Sequence, residues 1–174
     1  MARPKIVPTG IECPFEENEL IVSKTDLKGN IVYANDVFMR LSKYPPGEVI
    51  GAPHSMIRHP DMPRCIFKLL WDTIQAKQEI FAYVVNMARD GDHYWVFAHV
   101  TPTFDRQNNV IGFHSNRRKP DRGQVDTIQK LYRSLREAEN SARNAKDGMM
   151  RGYDMLMGQL KDRGVEYDEF IFSI

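Results

Sequence analysis

Three runs of β-type residues, IFAYVVNM, HYWVFAHVTPTF and VIGFHSNRR, fill residues 80–118 with only Arg89-Asp90-Gly91 and DRQNN between them. Asp-Gly and Gln-Asn-Asn are hairpin turns, so this stretch predicts an antiparallel meander of three strands. Upstream, LIVSKT and IVYAN flank DLKGN, which predicts a second hairpin. Asn35 is placed to cap a short helix, DVFMRLS, and KYPPGEVIGAP then stops it with three prolines and two glycines. Apolar residues at three- and four-residue steps, Ile66, Leu69, Leu70, Ile74, Phe67 and Trp71, predict an amphipathic helix over 62–77, with Asp61 as its N-cap. In order the elements read β-β, small helices, one longer helix, β-β-β. That order is an α+β domain: five antiparallel strands with helices packed on one face.

Composition sets the frame around this core. The 174 residues allow one ordinary domain with something left over. A hydrophobic share of 42% against 27% charged is that of a globular chain with a core. The formal net charge of +1 argues against a nucleic-acid binder. Two cysteines, Cys13 and Cys65, rule out a disulfide scaffold and fit a reducing compartment. No run reaches the roughly 20 apolar residues of a membrane span, and MARPKIVPTGIECPF is not a signal peptide, so a cytoplasmic protein is expected.

Pro4, Pro8, Gly10 and Pro14 make residues 1–19 an N-terminal arm; residues 20–119 then form the core domain and residues 120–174 a helical docking region. In that last region Ile128, Leu131, Leu135, Ala138, Ala142, Ala145, Met149 and Leu156 follow a seven-residue repeat. The repeat predicts one long helix that either pairs with a partner, a second copy included, or packs back on its own domain. The ending GVEYDEFIFSI reads as a short further helix or an apolar tail.

The opening TDLKGNIVYAND, the segment PHSMIRHPDMP (53–63) and the strand GDHYWV (91–96) together resemble the PAS domains of the bacterial aerotaxis-receptor family. The similarity spans roughly residues 20–118, and the coupling of RHPDMP to GDHYWV at this spacing is its specific part. The resemblance implies a PAS fold holding FAD non-covalently and reporting redox or respiratory state to the chemotaxis machinery. It implies that Arg58, His59 and Asp61 belong to the flavin-binding segment, that Asn86 stands near the isoalloxazine ring, and that Asn35, which closes the second strand, and Trp71 are cofactor-binding as well. These residue types suit that cofactor. A guanidinium fork matches a diphosphate, and an asparagine amide both donates and accepts at a ring edge whose protonation follows reduction. Phe67, Leu70, Trp71, Val84 and Phe113 would supply the apolar walls. The strand 80–88 departs from the family pattern, with Ile80-Phe81-Ala82 in place of W-x-G and no basic pair after Asn86.

Other readings stand beside this one. Arg58 and Asp61 also read as an ion pair and a helix cap, Tyr94 and Trp95 as sheet packing, and His93 and His99 as structural or exposed. Cys65, in P-R-C-I-F, does not match the N-C-R-F-L-Q helix of light-sensing flavin relatives and reads as a small buried thiol. A haem-binding PAS oxygen sensor would need His54 or His59 as its ligand; a cofactor-free PAS adaptor would need nothing further. No hydrolase, transferase, P-loop or metal-spaced motif is present, so the chain is not expected to be an enzyme or to bind a metal. The expected partner is a chemoreceptor or similar signalling protein reached in trans.

Overall fold

The computed structural model describes residues 6–174. Strands β1 (Ile21–Thr25) and β2 (Ile31–Ala34) form the first hairpin. The Asp26 carboxylate organises its turn by accepting from the Lys28 and Asn30 amides at 2.9 and 2.8 Å, and Gly29 takes a φ of 81° that a side chain would strain. Helix α1 (Asp36–Ser42) starts where Asn35 accepts from the Phe38 amide, as the sequence predicts. A short α2 (Pro46–Val49) and a 3-10 turn (His54–Ile57) lead to α3 (Arg64–Gln75). The meander follows as β3 (Ile80–Met87), β4 (His93–Phe104) and β5 (Val110–Arg118). The sheet order is β2-β1-β5-β4-β3, and every neighbouring pair is antiparallel.

Strand alternation divides the sheet's residues between two faces. Ser23, Val84, Asn86, Ala98, Phe113, Ser115 and Arg117 point to the face covered by α1–α3 and the 3-10 turn. Phe81, Tyr83, Trp95 and Phe97 point the other way, and the C-terminal region covers them. It comprises α4 (Arg122–Asn140), α5 (Ala145–Arg163) and α6 (Tyr167–Phe172). Tyr132 of α4 donates to the Tyr83 carbonyl at 2.6 Å, and its ring lies 6.1 Å from Trp95. Phe172 packs 4.7 Å from Phe81 and 6.0 Å from Phe97. The helices therefore lie on one face within the core, and the C-terminal ones add cover to the opposite face.

Two expectations need correction. The single C-terminal helix is two helices, because the chain stops at Ser141 and restarts where Asn144 accepts from the Asp147 amide at 2.9 Å. Asparagine and serine side chains that bond the local backbone favour such an end over continued helix. The apolar seam is thereby folded on itself: Ile128, Leu135 and Leu156 are all buried within the chain. The second correction concerns α3, which begins at Arg64 behind Pro63 and receives no cap from Asp61. Its first amides, on Arg64 and Cys65, instead donate to the two carboxylate oxygens of Glu139 at 3.0 and 2.8 Å. Asp61 pairs with Arg136.

Of the N-terminal arm, residues 1–5 lie outside the described residues. From Ile6 onward it runs along the start of β4, with the Cys13 amide donating to the His93 carbonyl at 2.7 Å and the His93 amide to Ile11 at 2.9 Å. Cys13 and Phe15 are buried in the core.

Candidate functional site

Between the sheet and the α3 layer lies a cavity of about 490 Å³, within the range of cofactor pockets. Its floor is β-sheet: Ser23 and Thr25 from β1, Val84 and Asn86 from β3, Ala98 and Val100 from β4, and Phe113, Ser115 and Arg117 from β5. Its roof is the 3-10 turn with His54 and Ile57, then Arg58, and the α3 residues Phe67, Leu70, Trp71 and Ile74. Trp71 meets Phe113 edge to face at 5.5 Å, and its indole lies against Gly29, where an added Cβ would fall 3.2 Å from the ring. Met149 of α5 reaches the same cavity from the side.

The wall carries five cationic side chains, Lys28, Arg58, Arg64, Lys68 and Arg117, and no carboxylate. Arg58 stacks its guanidinium on Phe67 at 3.7 Å. Burial of the group lowers its pKa, which marks a cation partly stripped of water and without a full counter-charge. Its backbone bridges to that of Asn86, which joins the loop after the 3-10 turn to the third strand. Asn86 is 3% exposed, and its Nδ2 has no partner. A buried amide left unmatched costs about 1–3 kcal/mol, so this donor marks a place for an acceptor.

Three predicted residues therefore share the cavity: Arg58, Trp71 and Asn86. The other three do not line it. Asn35 is fully engaged in structure, accepting from Val22 and Phe38 and donating to the Leu20 carbonyl at 2.8 Å. His59 is buried on the other side of its loop, where Nδ1 accepts from the Asp61 amide at 3.0 Å and the ring meets His93 at 6.0 Å. His59 and Asp61 line a second, smaller cavity of about 310 Å³ against α4.

Sequence reasoning missed the inner end of the main cavity. Arg117 is 3% exposed and donates from Nη2 to Ser23 Oγ at 2.8 Å and to His54 Nε2 at 2.5 Å. Burial first, then the neighbouring guanidinium, push the His54 pKa down to about 3, so the imidazole is neutral. The signal available was the alternation of Phe113, Ser115 and Arg117, which puts all three on the inward face once the strand is recognised. With its Nε2 committed to Arg117, His54 offers haem iron no free lone pair there. Cys65 is wholly buried beside Glu139 and does not line the cavity. Burial and that carboxylate raise its pKa, which makes it an inert thiol.

The cavity fits a flavin on these observations. It has an apolar slot, an unmatched amide donor for a ring edge, and a lining with cations and no carboxylate, although Lys68 is paired with Asp72 at 2.6 Å just outside it. Among the described residues no His, Cys, Asp and Glu cluster could hold a metal ion, and no helix is long and apolar enough to cross a membrane.

Comparison with known proteins gives the same frame. A family model described as the PAS fold matches residues 31–117. The aerotaxis receptor of Escherichia coli K12 is 34% identical over 138 residues, which is 79% of this chain and 27% of the receptor. The nitrogen fixation regulatory protein of Klebsiella pneumoniae is 30% identical over 95 residues, 55% of this chain and 19% of that protein. The chain thus spans about a quarter or less of the length of these relatives. Among solved structures, the light state of the blue-light photoreceptor Aureochrome1 LOV superposes with a TM-score of 0.55 at 21% identity, covering 67% of this chain and 91% of that one.

Proposed function

The chain belongs to the PAS-fold family, and from that premise we propose that it is a flavin sensor, binding FAD and passing its redox state through the C-terminal helices to a signalling partner. The observation that carries the reading is the cavity's chemistry: five cations and no carboxylate around an apolar slot, with the Asn86 Nδ2 unmatched at its floor. Relatives named as an aerotaxis receptor and a nitrogen fixation regulator support a sensory rather than a catalytic role. When bound, the flavin supplies reversible electron uptake. The chain's residues do the rest. Arg58, with Lys28 and Lys68 at the rim, would hold the phosphates. Phe67, Leu70, Trp71, Val84 and Phe113 would exclude water from the ring, and Asn86 would meet its polar edge.

The output route rests on α3, which roofs the cavity and is capped at its start by Glu139 of α4. A change in the cavity that shifts α3 must alter that cap, and Met149 brings α5 to the same cavity. The two-state element is then the docked helical hairpin, and what biases it is the fit of the cavity contents. The proposed partner is a chemoreceptor or similar signalling protein, on the strength of the aerotaxis-receptor similarity.

The test is an absorbance spectrum of the freshly purified protein, and of the protein after incubation with FAD, before and after dithionite. A bound flavin band that bleaches on reduction is the expected result. A colourless protein that takes up no FAD would overturn the reading and leave a cofactor-free adaptor; a Soret band would point to haem.

A further inference from the structure

Arg117 is the most deeply buried of the cavity's cations and lacks a counter-charge. Its neighbours are the Ser23 hydroxyl, the His54 imidazole, the Phe38 ring at 5.7 Å and the neutral Tyr94 phenol, whose buried hydroxyl also lacks a partner. Its Nη1 has no hydrogen-bond partner, and Ser115 Oγ beside it in the cavity wall has none either. No described carboxylate forms an ion pair with it. For His54 Nε2 to accept from a guanidinium it must carry no proton, so the pair holds one positive charge in total. A buried, unpaired cation is costly unless a ligand supplies negative charge. The same residues would serve poorly for a ligand that stays neutral in every state.

We propose that Arg117 is the charge that favours the reduced form of the flavin, by holding a fixed positive group against the ring when it becomes anionic. The inference rests on the flavin reading above. Two electrons and one proton taken up by the neutral oxidised ring leave the reduced ring with one negative charge; a second proton would cancel it. In the test the electrons come from dithionite, which is oxidised to bisulfite, and the proton comes from water. Ser23 and His54 act as positioning residues: they aim the guanidinium and, being neutral, leave its charge uncancelled.

The experiment measures the midpoint potential of the FAD-loaded protein by dithionite titration, together with its FAD content. Three variants are compared with the wild type. Arg117→Lys keeps the charge. Arg117→Gln keeps hydrogen-bond donors and loses the charge. Ser23→Asp, made in a His54→Gln background so that no imidazole beside the new carboxylate can take up a compensating proton, leaves Arg117 in place and sets a carboxylate where the hydroxyl now accepts from it. The expected result is a tenfold or greater loss of preference for the reduced form in Arg117→Gln and in Ser23→Asp. That corresponds to a fall of about 30 mV or more for a two-electron couple, with Arg117→Lys staying near the wild type. If either charge-cancelling variant loads FAD and keeps the wild-type potential, the proposal is overturned while the flavin reading stands. If the wild type takes up no FAD, both fall together. Should Arg117→Gln fail to fold, Ser23→Asp still decides the matter, since it satisfies the buried guanidinium.

Discussion

Two glycines on α5 separate packing from propensity at the scale of one residue. A Cβ at Gly152 would fall 2.8 Å from Glu139 Cγ and 3.1 Å from Cys65 Sγ, whereas at Gly158 it would meet nothing within 4 Å. Gly152→Ala therefore forces apart the contact that joins α5 to α4 and α3, and an overpacked site of this kind costs about 1–3 kcal/mol. Gly158→Ala gains helix propensity at an exposed position, about 0.5–1 kcal/mol. Urea unfolding of the two variants should move the midpoint in opposite directions; movement in the same direction would mean α5 is not docked as described. The same scale explains what could be read of the site beforehand. Arg58 could be singled out because it stands in the RHPDMP segment, and Asn86 because it is the asparagine of the strand that precedes GDHYWV. In N-R-R the two arginines look alike. Only strand register distinguishes Arg117, which is buried, from Arg118, which is exposed, and only the tertiary structure shows that Arg117 has no carboxylate partner.

At the scale of elements, the hairpins, α1 and the meander were legible because turn length and turn chemistry fix how neighbouring strands pair. The C-terminal helices were not, because a seven-residue apolar repeat describes a helix packed against another without saying whose helix it is. Here the partner of α4 is α5, and both close on α3. The joint is polar at its centre: Glu139 is 5% exposed and takes the two leading amides of α3, a role favoured by the positive end of the helix. Glu139→Ala leaves those amides buried and unmatched, a loss of about 2–4 kcal/mol. It should also loosen the cover over Cys65, which is 0% exposed. In a Cys13→Ala background, thiol labelling of Cys65 should be fast in Glu139→Ala and slow in its parent. Labelling equally slow in both would show that the carboxylate does not hold the hairpin down.

For the molecule as a whole, the buried imidazoles set how stability responds to acid. The His54 pKa falls to about 3 in the fold, and desolvation lowers that of His59 as well. An unfolded chain protonates these rings near pH 6.5, so below that value it binds more protons than the native state. Stability is then fully present above about pH 6.5 and is lost as the pH falls towards 3, where the folded ring finally takes its proton. For His54 alone the loss is on the order of 3 kcal/mol by pH 4. Carboxylates with lowered pKa, Asp26, Asp92 and Asp105, add a second loss at lower pH, because each stabilises the fold only while ionised. The two contributions separate in the upper part of the window, where the carboxylates are still charged. Urea midpoints measured from pH 7 to 4.5 at constant ionic strength should slope downward in the wild type. They should flatten in His54→Gln, which keeps an acceptor for Arg117 and has nothing to protonate. An unchanged slope in that variant would place the acid sensitivity elsewhere and would mean that His54 is not held neutral against Arg117.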